Sequence, residues 1–107
     1  MTIQKIDEHF SQSPQILAED MKSISEAGFK GIVCARPDNE DSGQPSFKDI
    51  AEAASRFDLK AFHIPISGRA TEDQIDQFRQ AIANTAGPVL GYCRSGARAG
   101  NLYSASR

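Results

Sequence analysis

Pro88-Val89-Leu90-Gly91-Tyr92-Cys93-Arg94-Ser95-Gly96-Ala97-Arg98 runs from an apolar, strand-like stretch into a cysteine, then into a short glycine-containing turn bracketed by two arginines. A chain that turns sharply from strand into helix aims successive backbone N–H groups at one point, and the helix N-terminus adds the positive end of its dipole. Cys93 stands at that point, so it reads as a thiolate nucleophile built to meet an anion. A free thiol titrates near pH ~8.5, and such surroundings bring it to roughly 3.5–7.5, reactive at neutral pH. This reading gives Cys93 and Arg98 catalytic roles and assigns substrate binding to Arg94, Ser95, Gly96 and Ala97. A Cys-x4-Arg spacing alone is common by chance, and a buried cysteine is ordinarily a small hydrophobe. The apolar run, the glycine and the paired arginines are what carry the signal.

The rest of the chain supplies the setting. Ser13-Pro14 predicts an N-cap and first helical position, with Ile16, Leu17, Met21, Ile24 and Ala27 at helical spacing and Gly28 as the closing residue. Phe29–Ala35 then reads as a buried strand, and Arg36–Pro45 as a loop rich in turn residues. Ser46 with Asp49 starts a second helix carrying Phe47, Ile50, Ala53, Ala54 and Phe57 on one face, and Lys60–Pro65 is the next strand. Thr71 and Gln74 make a capping box ahead of a third helix with Ile75, Phe78, Ala81 and Ile82 on its inner face. Strands alternating with helices predict an α/β fold, a parallel sheet flanked by helices, with ligands beyond the C-terminal strand ends. Cys93 lies at one such end, and the loop after Ala35 leaves another, which places Arg36 at the border of the same cleft as a further substrate-binding candidate.

Composition narrows the class. The chain has 107 residues and a formal charge of −2, which fits one domain with a modest core. No basic stripe points to nucleic acid, and no apolar run nears the ~20 residues a membrane span needs. The N-terminus lacks the order of a signal peptide. Two well-separated cysteines suit a reducing, cytoplasmic setting better than a disulfide scaffold. About two helical turns follow the Cys93 loop, which suggests a gene product that continues past Arg107.

Loop length bears on the anion. Cys93 and Arg98 form Cys-x4-Arg, one residue shorter than the Cys-x5-Arg signature of protein tyrosine phosphatases, and the loop resembles the six-residue active loop of rhodaneses. A phosphatase must protonate an alkoxide or phenoxide leaving group, whereas sulfite leaves thiosulfate unaided. The segment expected to hold the acid, Pro65–Thr71, has no carboxylate before Glu72 and Asp73. Most of the chain resembles the small N-terminal domain of beta-lactamase-hydrolase-like proteins. The resemblance is carried by Gly28-Phe29-Lys30, Arg36-Pro37-Asp38 with Glu40, Ile64-Pro65, Gly87–Leu90, Cys93–Gly96 and Arg98. It implies a protein-tyrosine-phosphatase-like fold with a sulfurtransferase-type loop, and a domain found alone or ahead of a metal-dependent persulfide dioxygenase. The chain departs from that family at Ala99, where a hydroxyl residue is common, at Ser11-Gln12-Ser13-Pro14, and at Cys34.

The leading expectation is therefore a sulfurtransferase. Cys93 would take sulfane sulfur from thiosulfate or a small persulfide and pass it to a thiol, sulfite or cyanide. A cysteine-dependent phosphatase is the alternative, and a non-catalytic sulfur-anion or persulfide sensor is the third reading. Partners would be a small-molecule sulfur donor, a thiol acceptor and a persulfide dioxygenase domain or protein, with no nucleic acid or membrane. No cofactor is required, and Cys34, Cys93, His9 and His63 lack the spacing of a zinc site. Cys34 is a candidate resolving thiol but more ordinarily a core residue. His63 is a candidate contact to a loop near the site, Asp38 and Glu40 are candidates to orient Arg36 or Arg98, and Arg69 is a candidate to meet an anionic substrate.

Overall fold

A computed structural model describes residues 2–107. Five strands, β1 (Gln4–Lys5), β2 (Phe10–Ser13), β3 (Gly31–Cys34), β4 (Lys60–His63) and β5 (Val89–Tyr92), form one sheet in the order β1-β2-β5-β3-β4. All neighbours run parallel except the antiparallel β1–β2 pair. β5 is therefore central, held in register by Ser13 opposite Tyr92 on one side and Cys34 opposite Tyr92 on the other.

Alternation along the strands divides the apolar residues between two faces. Val33, Val89 and Phe10 join Phe78 and Ala81 of α3 (Glu72–Ala83) and Leu102 and Tyr103 of α4 (Ala97–Ser106). Ile32, Cys34, Leu90 and Tyr92 join Met21 and Ile24 of α1 (Met21–Glu26) and Ile50, Ala53 and Ala54 of α2 (Phe47–Ser55). The parallel sheet with helices on both faces is the expected α/β architecture.

The two predicted caps form. Ser46 Oγ accepts from the Asp49 amide, and Thr71 and Gln74 close a reciprocal capping box. The first helix differs from expectation. Ser13 ends β2 instead of capping a helix, its carbonyl accepts from the Cys93 amide at 3.3 Å, and the helical chain begins with a 3-10 turn at Ala18–Asp20. The alignment of Phe10–Ser13 with β5 overrides the local Ser-Pro signal, and Pro14, lacking an N–H, ends the strand.

Helix α4 approaches the sheet closely. A Cβ added to Gly91 would lie 2.6 Å from the Phe10 ring and 3.0 Å from the Ala99 methyl. This close contact puts the start of α4 directly over the end of β5. Ala99 is fully buried in that contact. At the other end of the chain, the Tyr103 hydroxyl donates to Asp7 Oδ2 at 2.7 Å, fastening α4 to the β1–β2 turn. That bond, with two backbone amides and Arg107, holds the Asp7 carboxyl below its ordinary range.

Candidate active site

Cys93 follows β5 directly, and the chain reverses through Arg94-Ser95-Gly96 into α4. Gly96 makes the reversal with φ of 97°, a left-handed conformation that costs a residue with a Cβ about 1–2 kcal/mol. In that conformation the Gly96 amide donates to Cys93 Sγ at 3.0 Å. Ser95 is exposed, and its Oγ accepts from the Ala97 amide at 3.3 Å. Among the described residues, no protein acceptor takes the Arg94 or Ser95 amide. The thiol sits fully buried at the base of this loop.

Arg98 is in the first turn of α4. Its Nη1 donates to Glu40 Oε2 and to the Ile66 carbonyl, both at 2.8 Å, and its Nη2 donates to Glu40 Oε1 at 2.6 Å. Three of the five guanidinium N–H groups are thus used. The remaining two, on Nε and Nη2, share the opposite edge. Glu40 raises the Arg98 pKa above its ordinary value, burial opposes this, and the Cys93 sulfur adds to the rise. The same pairing pulls the Glu40 carboxyl down to about 2, with Arg36 contributing further.

Arg36 is not at the cleft border. It is 2% exposed, and its donors are taken by Glu40 Oε1 at 3.0 Å, Gln15 Oε1 at 3.0 Å and Asp41 Oδ2 at 2.8 Å. A guanidinium with every nitrogen committed underneath the wall cannot grip a ligand, so the direct substrate-binding role expected from sequence is corrected to that of a support. Asp41 Oδ2 also lies 3.3 Å from Nε of Arg94, which is largely exposed. Glu40 and Asp41 therefore bridge one buried arginine to both arginines of the Cys93 loop.

The β3–α2 loop that carries these carboxylates is internally braced. Gln44 Oε1 accepts from the Glu40 and Asp41 amides, Gln44 Nε2 donates to the Pro37 carbonyl, and Asp38 Oδ1 accepts from the Phe47 amide. The Arg36 carbonyl accepts from His63 Nε2 at 2.8 Å and from the Cys34 thiol at 3.4 Å. His63 stacks on Phe47, with ring centroids 4.7 Å apart. Burial pushes the Cys34 thiol up, partly offset by the Tyr92 hydroxyl. Cys34 packs in the core on the α1–α2 face and Cys93 in that of the α3–α4 face, so nothing here sets up a resolving pair.

Sequence reasoning singled out Cys93, its loop and Glu40, but missed Asp41, Gln15, Gln44 and the Ile66 carbonyl. The cluster Arg36-x3-Glu40-Asp41 carried a usable signal, since a strand-end arginine followed by two acids can fold back on itself. Gln15 and Ile66 carried none. Among the described residues, no cluster of His, Cys, Asp and Glu is suited to hold a metal ion, and no helix is long and apolar enough to cross a membrane.

Comparison with known proteins bears on what this loop does. Residues 2–107 match the family model of the beta-lactamase hydrolase-like protein, phosphatase-like domain. A beta-lactamase hydrolase-like protein of Agrobacterium fabrum is 39% identical over 100 residues, covering 92% of this chain and 23% of that protein. The chain thus spans about a quarter of the length of the curated relatives it matches. A "putative phosphatase" of Neisseria meningitidis superposes with a TM-score of 0.85 at 38% identity, covering 96% of this chain and 74% of that one. The fold also recurs in PTPMT1, with a TM-score of 0.74 at 13% identity, covering 98% of this chain and 70% of that one. The fold is the protein-tyrosine-phosphatase-like one expected from sequence.

These matches overturn the sulfurtransferase expectation and favour the cysteine-dependent phosphatase alternative. The physical reason lies in what the loop count measures. Cys-x4-Arg fixes the chain length between thiol and arginine, but the edge that Arg98 presents is set by Glu40 and Ile66, which lie far off in sequence. Loop length alone did not discriminate between the two anions.

Proposed function

We propose that this chain, which belongs to the phosphatase-like domain family of beta-lactamase hydrolase-like proteins, is a cysteine-dependent phosphatase acting on phosphate monoesters. The observation that carries the reading is the Arg98 guanidinium. Glu40 and the Ile66 carbonyl occupy three of its N–H groups and leave the adjacent pair on Nε and Nη2 for a ligand. Two parallel N–H groups match two oxygens of a phosphoryl group, and the Arg94 and Ser95 amides offer further donors to the same anion.

In the first step the Cys93 thiolate attacks phosphorus. An S–P bond forms, the P–O bond to the leaving group breaks, and that oxygen keeps the electron pair. Water then attacks the phosphocysteine. The S–P bond breaks, the thiolate is restored, and inorganic phosphate carries away the new oxygen, with the surplus proton passing to solvent. Arg98 and the loop amides neutralise the equatorial oxygens in both steps. Arg94, mostly exposed, draws the anion in.

The test is phosphate release from 4-nitrophenyl phosphate. Wild type should turn over, Cys93→Ser should be inactive, and Arg98→Lys should lose most activity because a point charge cannot replace a planar fork. Turnover surviving in Cys93→Ser would refute the assignment.

A further inference from the structure

We infer that the site takes monophosphates of acidic oxygens, those of carboxylic acids and acidic phenols, and seats the organic part in the cavity beside Arg98. The inference rests on the phosphatase reading, narrows its esters to those of acidic phenols and adds acyl phosphates to them. A cavity of about 310 Å³ opens between the β4–α3 loop and α4, lined by Ile66, Arg69, Ala70, Ile75, Arg98 and Leu102 among others. Arg98 belongs both to this wall and to the Cys93 site. A phosphoryl group held by Arg98 therefore borders this cavity.

Of the acids and the histidine whose contacts place them at the site or its β3–α2 wall, none is left to give the leaving-group oxygen a proton. The β4–α3 loop, Ile64-Pro65-Ile66-Ser67-Gly68-Arg69-Ala70-Thr71, contains no carboxylic acid. It is fastened to the site through the Ile66 carbonyl on Arg98. Glu40 is ionised between two arginines, its carboxyl held at about 2. Asp41 accepts from Arg36 and faces Arg94, and Asp38 accepts from the Phe47 amide. His63 spends its Nε2 proton on the Arg36 carbonyl, and the Tyr92 hydroxyl is turned to Cys34 on the far face.

General acids supply about 10²–10⁴ in rate, so a leaving group that needs protonation is disfavoured here by that order. A carboxylate or acidic phenolate needs none. It departs with its electron pair as the S–P bond forms, and no proton moves in that step. Arg69, exposed on the cavity wall, meets the departing anion, while Ile66, Ala70, Ile75 and Leu102 take its apolar body.

The experiment is a leaving-group series, kcat/KM for aryl phosphates running from 4-nitrophenyl to 4-methoxyphenyl, with acetyl phosphate alongside. The expected result is a steep fall, about 10²-fold or more along the series, the size of the missing acid catalysis. Acetyl phosphate should be hydrolysed at least as fast as the nitrophenyl ester. A profile flat to within severalfold, yet dependent on Cys93, would overturn the inference and leave the phosphatase reading standing. No Cys93-dependent turnover of any phosphate would overturn that reading and the inference with it. The cavity has its own arm. Ala105→Phe, on the exposed side of α4 at the cavity edge, should raise KM for the aryl esters about tenfold more than for acetyl phosphate, an effect of the size apolar pockets give. Equal changes for both would overturn the seating.

Discussion

Arg98 and Glu40 meet end-on, with Nη1 donating to Oε2 at 2.8 Å and Nη2 to Oε1 at 2.6 Å. A bidentate pair fixes a guanidinium in direction as well as position. Because Arg36, itself buried, also holds Glu40 Oε1 at 3.0 Å, the aim of Arg98 is set from beneath the loop. Glu40 is thus a positioning residue whose effect is exerted through Arg98.

Glu40→Gln replaces one accepting oxygen with an NH₂ that faces arginine nitrogen. Charged hydrogen bonds contribute about 1.5–3 kcal/mol, so kcat/KM for an aryl phosphate should fall by about ten- to a hundredfold. Glu40→Asp should recover part of it. Steady-state kinetics with urea midpoints separate this from mere destabilisation. Unchanged kinetics with a lowered midpoint would leave Glu40 structural only.

The pH dependence of that pair has a definite sign. Folding lowers the Glu40 carboxyl from 4.5 to about 2, chiefly through Arg98. Its contribution to stability is therefore complete above about pH 4.5 and is lost as pH falls through about 2. The stability difference between wild type and Glu40→Gln should be constant at neutral and mildly acidic pH and close only near pH 2. Urea midpoints across that range check it, and a difference that vanishes between neutrality and pH 5 would contradict it.

Arg36→Met leaves Gln15, Glu40 and Asp41 without their shared donor. Breaking a buried ion pair costs about 3–5 kcal/mol. The lower end is expected here because Glu40 and Asp41 keep contact with water. Equilibrium urea unfolding measures the loss, and a change under about 0.5 kcal/mol, ordinary for a surface substitution, would show that the network is not what holds the loop.

Gly91→Ala tests how α4 is seated. The added methyl would meet the Phe10 ring and Ala99 inside contact distance, and overpacking of this kind costs about 1–3 kcal/mol. Activity should fall beyond what stability explains, since lifting α4 displaces Arg98 relative to Cys93. Thermal melts and kinetics on the same preparation would show both effects.

Much of this molecule is legible in its sequence, and what is not has physical causes. The strand-turn-helix passage through Cys93, the alternation of strands and helices, and the caps at Ser46 and Thr71 are local signals, and they form as read. Ser13-Pro14 misleads because its helix-start chemistry is local, while the pairing of Phe10–Ser13 with β5 depends on residues nearly eighty positions away. Arg36 misleads in a similar way. Its place at a strand end was readable, but its burial depends on acids that return from the loop and on Gln15. Cys-x4-Arg does not disclose how Arg98 is aimed, because that orientation comes from Glu40 and Ile66, which lie far off in sequence.

Rapid-quench mass spectrometry of the reduced chain mixed with 4-nitrophenyl phosphate would catch the phosphocysteine itself. A transient gain of one phosphoryl group is expected, mapped to Cys93, decaying as phosphate appears and absent in Cys93→Ser. Phosphate release without that adduct, or an adduct that persists in Cys93→Ser, would contradict that expectation.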